Sequence, residues 1–205
     1  MLISDVITDA KYGELQQLSL KDDDNAILSF INLGLLELYK RFNLRTEEAV
    51  VSLNSNTTMY TLDPSLPNVD MPSDCDLMYI IDAYSEAGEQ IEINNEDDEL
   101  SILTPTYNSI QVPNPADGAY LSLIYAAGPT RVTAPTDSLK LPPALYEALL
   151  HYIGYRGHGS VDGMINTENN THYMRFEKSC ETAKAFGLVT ADDMKIRYVE
   201  RKGFV

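Results

Sequence analysis

Three histidines are the residues best suited to chemistry in this chain. His151 and His158 fall within "LPPALYEALLHYIGYRGHG" (141–159), and His172 follows in "ENNTHYMRFEKSC". The seven-residue spacing puts His151 and His158 on one helix face but about 10–11 Å apart along the axis. That is too far for adjacent turns to share one ion, and no HExxH phrase is present. A zinc or iron site needs His172 to come in from the next helix, with a carboxylate such as Glu147 or Glu168. A metal-dependent hydrolase using His151 and His172 is thus the catalytic alternative. The favoured reading is a packing helix, in which Tyr152, Tyr155 and Tyr173 bury their rings while His and Arg tips reach partners or water. On that reading the chain holds no metal or cofactor and is not an enzyme.

Other reactive patterns are weaker. The acids at 22–24 ("DDD") and Glu96, Asp97, Asp98 and Glu99 ("EDDE") precede apolar runs, where the positive end of a helix dipole explains them without a cation. No P-loop, EF-hand, GxGxxG or GxSxG spacing occurs. Cys75 and Cys180 match no paired ligand spacing and read as reduced, mostly buried thiols. The C-terminal segment stands apart: Lys195, Arg197, Arg201 and Lys202 alternate with Ile196, Tyr198, Val199 and Phe204. A β-prone segment of this kind suits strand addition to another protein's sheet edge.

The elements that carry these residues follow from periodicity. Residues 2–12 read as a short amphipathic helix with Leu2, Val6 and Ile7 on one side. A longer helix follows, capped within Asp22–Asn25 and striped by Ile27, Phe30, Ile31, Gly34, Leu35, Leu38 and Phe42, with Lys40 and Arg41 in its last turn. From Ala49 the period changes. "AVVSLNSNTTMYTL" reads as a hairpin, and "LMYIIDAYSEAGEQIEI" as a second one turning on Ala87-Gly88. "NNEDDELSIL" is expected to be a short helix capped by Asn94 or Asn95, and "SIQVP" and "YLSLIYAAGP" are two more strands. Helices return after Pro142 and Pro143, one striped by Leu145, Leu149, Tyr152 and Ile153 and ended by Gly157 and Gly159, the next closed by Gly187. The expected class is α+β: a mainly helical bundle with an inserted antiparallel β region and an extended C-terminal arm. Its parts are N-terminal helices over 1–48, the β-rich insertion over 49–135, C-terminal helices over 136–188 and the arm over 189–205.

Composition narrows the function. The 205 residues are 44% hydrophobic, with no apolar run near the ~20 residues of a membrane span. The first residues place acids in their apolar pattern with no basic stretch, unlike a secretory signal. The net charge is −16, and the whole surplus of acids falls in residues 1–103. Such a surface does not grip a phosphate backbone, since that binding is driven by Lys and Arg displacing counterions; it repels DNA instead.

Two phrases resemble the head-to-tail adaptor proteins of tailed bacteriophages, also called connector or head-completion proteins. In "ILSFINLGLLELYKRF", Phe30, Ile31, Asn32, Gly34, Glu37 and Leu38 fill a phrase of the family's second helix. In "KLPPALYEALLHYIGYRGHG", Leu141, Pro142, Tyr146, Ala148, Leu149, Tyr152, Tyr155 and Arg156 fill a second. The resemblance implies a helical bundle bearing a β insertion, assembled as a ring of commonly twelve copies beneath the portal protein in the virion neck. Such a ring extends the DNA channel and presents a platform to tail or nozzle proteins, with DNA passing through unbound and no membrane involved. It further implies portal docking by the arm (Lys195, Ile196, Arg197, Tyr198, Val199, Arg201, Lys202, Phe204). Packing between subunits is expected at Tyr146, Tyr152, Tyr155 and Arg156, with Glu96, Asp97, Asp98 and Glu99 facing the channel. The alternative within the same setting is a tail-completion or tail-tube protein. An acidic DNA mimic explains the charge but not the balanced second half.

Overall fold

The computed structural model describes residues 1–162 and 167–189. The chain divides into two compact units, one built from Met1–Leu44 with Arg131–Val205, the other from Arg45–Thr130. Among the described residues there are four α-helices and eight strands. The α+β class holds, but two sheets make the β content too substantial for a mainly helical bundle.

The helical unit contains α1 (Ile3–Tyr12), α2 (Asp24–Phe42), α3 (Tyr146–Asp162) and α4 (Thr167–Ala185). Burial recurs at helical spacing, as a one-sided apolar stripe requires. α1 buries Ile3, Val6, Ile7 and Ala10, while Leu2, expected inside, is about half exposed. α2 buries Ile27, Ile31, Leu35, Leu38 and Phe42, α3 buries Leu149 and Ile153, and α4 buries Phe176, Cys180 and Ala183 in the same core. Burial pushes the Cys180 thiol up to about 11, consistent with a packing role.

The helix ends follow local chemistry. Asp23 Oδ1 accepts from the N–H groups of Asn25 (3.1 Å) and Ala26 (3.0 Å), capping α2. The first N–H groups of α1 are satisfied by a distant segment: Ile3 N donates to Asp137 O (2.9 Å) and Ser4 N to Pro135 O (2.8 Å). Gly187, at φ 61°, closes α4, with Leu188 N donating back to Ala183 O at 3.0 Å. The expected stop of α3 at Gly157 and Gly159 is incorrect, because the helix runs on to Asp162. Gly157 instead admits a neighbour: a Cβ there would stand 2.4 Å from Leu15 Cδ2.

The β unit holds a five-stranded sheet, order β3-β1-β8-β4-β5, and a three-stranded sheet, order β2-β7-β6. Its strands are β1 (Thr46–Ser52), β2 (Met59–Thr61), β3 (Val69–Asp70), β4 (Leu77–Ser85), β5 (Gln90–Ile91), β6 (Leu103–Thr106), β7 (Ser109–Gln111) and β8 (Tyr120–Ala127). All the strand pairs are antiparallel. Alternate residues Leu121, Leu123, Tyr125 and Ala127 of β8, with Ala49, Val51 and Ala83, share a core with Tyr60 and Ile110 of the smaller sheet and with Val112 just beyond it. Gly88, at φ 82°, turns the β4–β5 hairpin as expected.

Two sequence expectations fail here for identifiable reasons. β1 and β2 are not a hairpin: β2 pairs with β7 in the other sheet. The Asn-rich turn forms, but the Tyr60 hydroxyl takes up both backbone groups of Asn54, accepting from N (2.8 Å) and donating to O (3.1 Å). The helix expected in 94–103 is a pair of turns. Asn95 Oδ1 accepts from Asp97 N (3.0 Å) and Asp98 Oδ1 from Leu100 N (2.9 Å), local bonds that compete with a helix.

Candidate functional site

The expected contact surfaces are placed as follows. The arm residues from Lys195 to Phe204 lie outside the described residues. Glu96, Asp97 and Glu99 are exposed and Asp98 is half-buried, on the turns between β5 and β6. Those turns are anchored by Ser101, whose Oγ accepts from Asn95 N (2.9 Å) and donates to Glu92 O (3.1 Å). On α3, Tyr146 and Tyr152 pack against the chain's own core. The Tyr146 hydroxyl donates to Asp9 Oδ2 at 2.6 Å, and burial, then Asp9, pushes that phenol up. Tyr152 meets Phe176 edge-on at 5.2 Å and Tyr155 at 5.8 Å, while Tyr155 leans on Tyr173 at 5.1 Å. Arg156 is exposed beside this ladder.

Motif residues of α2 bind distant segments. The Asn32 carboxamide donates to Val132 O (2.9 Å) and accepts from Val132 N (2.8 Å), holding the chain where it returns to the helices. Arg41 forks onto Glu177 of α4 through two bonds of 2.7 and 2.8 Å, takes Glu37 at 2.9 Å, and lies 4.6 Å over the Phe176 ring. Arg41 holds the Glu177 carboxyl below the usual carboxylate range.

The histidines converge, and the partner that their tips reach is a carboxylate. After α1, Leu15 N donates to Ala10 O, and Leu15 is fully buried against Gly157. That turn swings Glu14 in between α3 and α4. Glu14 Oε1 lies 3.3 Å from His151 Nδ1, and Oε2 lies 2.7 Å from His172 Nδ1. The side chains are 19%, 11% and 12% exposed for Glu14, His151 and His172. His158 stacks on His172 at 4.7 Å, and its Nε2 contacts the Glu14 carbonyl at 3.1 Å. Gly154 makes the room: a Cβ there would stand 2.8 Å from His172 Nδ1 and 3.1 Å from Glu14 Cβ. Contacts with His151 and then His172 hold the Glu14 carboxyl far below the usual carboxylate range, although burial pushes the other way.

So His172 does come in from the next helix, and the carboxylate between the rings is Glu14, with Glu147 Oε1 lying 3.5 Å from His151 Nε2. Glu14 has no sequence signal, being a lone acid beyond a helix end. A usable sign lay on α3, where Gly154 and Gly157 fall between His151 and His158 and mark a backbone approached closely.

Among the described residues, no helix is long and apolar enough to cross a membrane. No curated protein matches the chain. The family model for the SU10 adaptor protein matches residues 1–196, across both helical ends and the β unit between them. The chain therefore belongs to the SU10 adaptor protein family, a family of phage head-to-tail adaptors.

Proposed function

We propose that the protein is a non-catalytic ring subunit of the virion neck. Copies, commonly twelve, sit beneath the portal, extend the DNA channel and present a platform to tail or nozzle proteins. The family match over residues 1–196 carries this reading. The charge distribution supports it, because an acid surplus confined to residues 1–103 suits a wall past which DNA slides without adhering. In this arrangement Glu96, Asp97, Asp98 and Glu99 face the channel. Arg156 and the edges of Tyr155 and Tyr173 meet a neighbouring subunit, with Tyr146 and Tyr152 backing that face from within. The arm at 189–205, with its alternating Lys195, Ile196, Arg197, Tyr198, Val199, Arg201, Lys202 and Phe204, adds a strand to the portal.

Electron microscopy of the purified chain, with and without its portal, tests the reading. The expected result is rings that form on the portal and are lost when residues 190–205 are deleted, while circular dichroism of the deletion variant stays unchanged. Particles with no added layer on the portal would end it.

A further inference from the structure

We propose that Glu14, His151 and His172 form a site for one divalent transition ion of the zinc class, which ties the turn after α1 to α3 and α4. This goes beyond the adaptor reading and does not depend on it. It also departs from the metal-free expectation that the sequence favoured.

The donor set points to the ion. Two imidazoles and one carboxylate suit zinc and its borderline neighbours, whereas calcium and magnesium prefer oxygen donors throughout. The three ligand atoms lie within 4.8 Å of one another. A tetrahedral ion with bonds of about 2.0–2.1 Å has donor–donor edges of about 3.3 Å, so closing the site takes movements of about 1.5 Å or less. The 3.3 Å spacing from Glu14 Oε1 to His151 Nδ1 already matches such an edge.

The orientation of the rings is the second observation. The Nδ1 atoms of His151 and His172 are buried and both face the Glu14 carboxylate, at 3.3 and 2.7 Å, in contacts poorly aligned for hydrogen bonds. Here both are aimed at the space in front of one carboxylate, as donors sharing an ion are.

The surroundings hold the ligands in place. Glu147 stands behind His151 at its Nε2, in the position of the carboxylate that commonly orients a metal-bound histidine. His158 fixes the plane of His172 by stacking and the Glu14 backbone by its Nε2. Solvent reaches the site through a pocket of about 400 Å³ that Glu14 and His172 line together with Gln16, Gln17 and Thr171. A water from that pocket completes four-coordination.

The test uses the full chain, stripped with a chelator and then titrated with zinc chloride or cobalt chloride. Calorimetry is expected to show one ion per chain, and cobalt to give the visible absorption of a tetrahedral nitrogen–oxygen site. His172→Gln and Glu14→Gln each weaken binding at least 100-fold, and zinc raises the wild-type Tm by several degrees. Because those variants can lose their fold, nitrogen NMR of the chain's three histidines gives a readout on wild type. Zinc must move one ring nitrogen of His151 and one of His172 into the metal-bound range and leave both nitrogens of His158 outside it. No saturable binding at micromolar ion, or binding that leaves the His151 and His172 nitrogens unshifted, overturns the proposal. Binding unaltered in a folded His172→Gln variant overturns it equally.

Discussion

The two units solve the same problem by different means. The β unit is one continuous stretch, Arg45–Thr130, and its backbone ladders connect residues far apart in sequence, β1 and β4 both pairing along β8. The helical unit is assembled from two stretches, and helices satisfy their backbone internally, so among the described residues the main-chain bonds between the stretches gather at the start of α1, where residues 1–4 meet residues 135–139. Side chains take over that role. Asn32 bonds Val132, Tyr39 donates to Lys140 O at 3.1 Å, Arg41 grips Glu177, and Glu14 reaches the histidines of α3 and α4. Polar groups half-buried in a helical unit are therefore the counterpart of strand pairing in a sheet.

The sharpest way to break this contrast is to remove the apolar anchor under the polar bonds. Phe176 is fully buried between Tyr152 and Arg41, and Phe176→Ala is expected to cost about 3–5 kcal/mol in chemical denaturation. Asn32→Leu comes next. It strands the N–H and C=O of Val132, at about 1–3 kcal/mol. Hydrogen exchange should show protection falling in α2 and α3 while β8 amides keep theirs, and an equal fall in both units would erase the distinction drawn here.

Glu177→Gln is expected to cost about 1 kcal/mol at neutral pH, since the pair is bidentate but the carboxylate is partly solvated. Its folded carboxyl is held low, so the contribution is complete above the unfolded value of about 4.3 and fades as pH falls through the lower folded value. Melting curves of wild type and variant should therefore converge on acidification below about pH 4. The smallest effect belongs to the β unit. Arg45 bonds Glu47 at 2.7 Å and Asp74 at 3.0 and 3.2 Å, yet Arg45→Met is expected to shift stability by about 0.5 kcal/mol, because backbone ladders carry that unit. A loss above about 2 kcal/mol would show that side-chain stitching matters in both units.

What the sequence disclosed was local. The stripe Ile27–Ile31–Leu35–Leu38, the Asp23 cap and the Gly187 stop each act within a few residues, and each is visible in the order of nearby residues alone. What stayed hidden was pairing. β2 pairs with β7 because β1 already has β3 on one side and β8 on the other, and no turn rule encodes that. Asn95 and Asp98 look like helix caps and act as turn acceptors, since one residue type serves both purposes. The histidine cluster was half legible: three histidines and their helices were apparent, but their spacing along one helix argued against an ion, and the deciding acid lies beyond the end of α1.

The two ends of the β unit stand together. Arg45 Nη1 donates to Thr130 Oγ1 at 3.3 Å, and Ala127 N donates to Arg45 O at 2.9 Å, so the first and last residues of the detour touch. A loop whose feet stand together imposes no span on what lies between them. The intervening 84 or so residues can be trimmed, enlarged or exchanged for another module while the same pair of feet is kept. Variation in what such a subunit offers its neighbours can thus proceed without redrawing the helices that carry it.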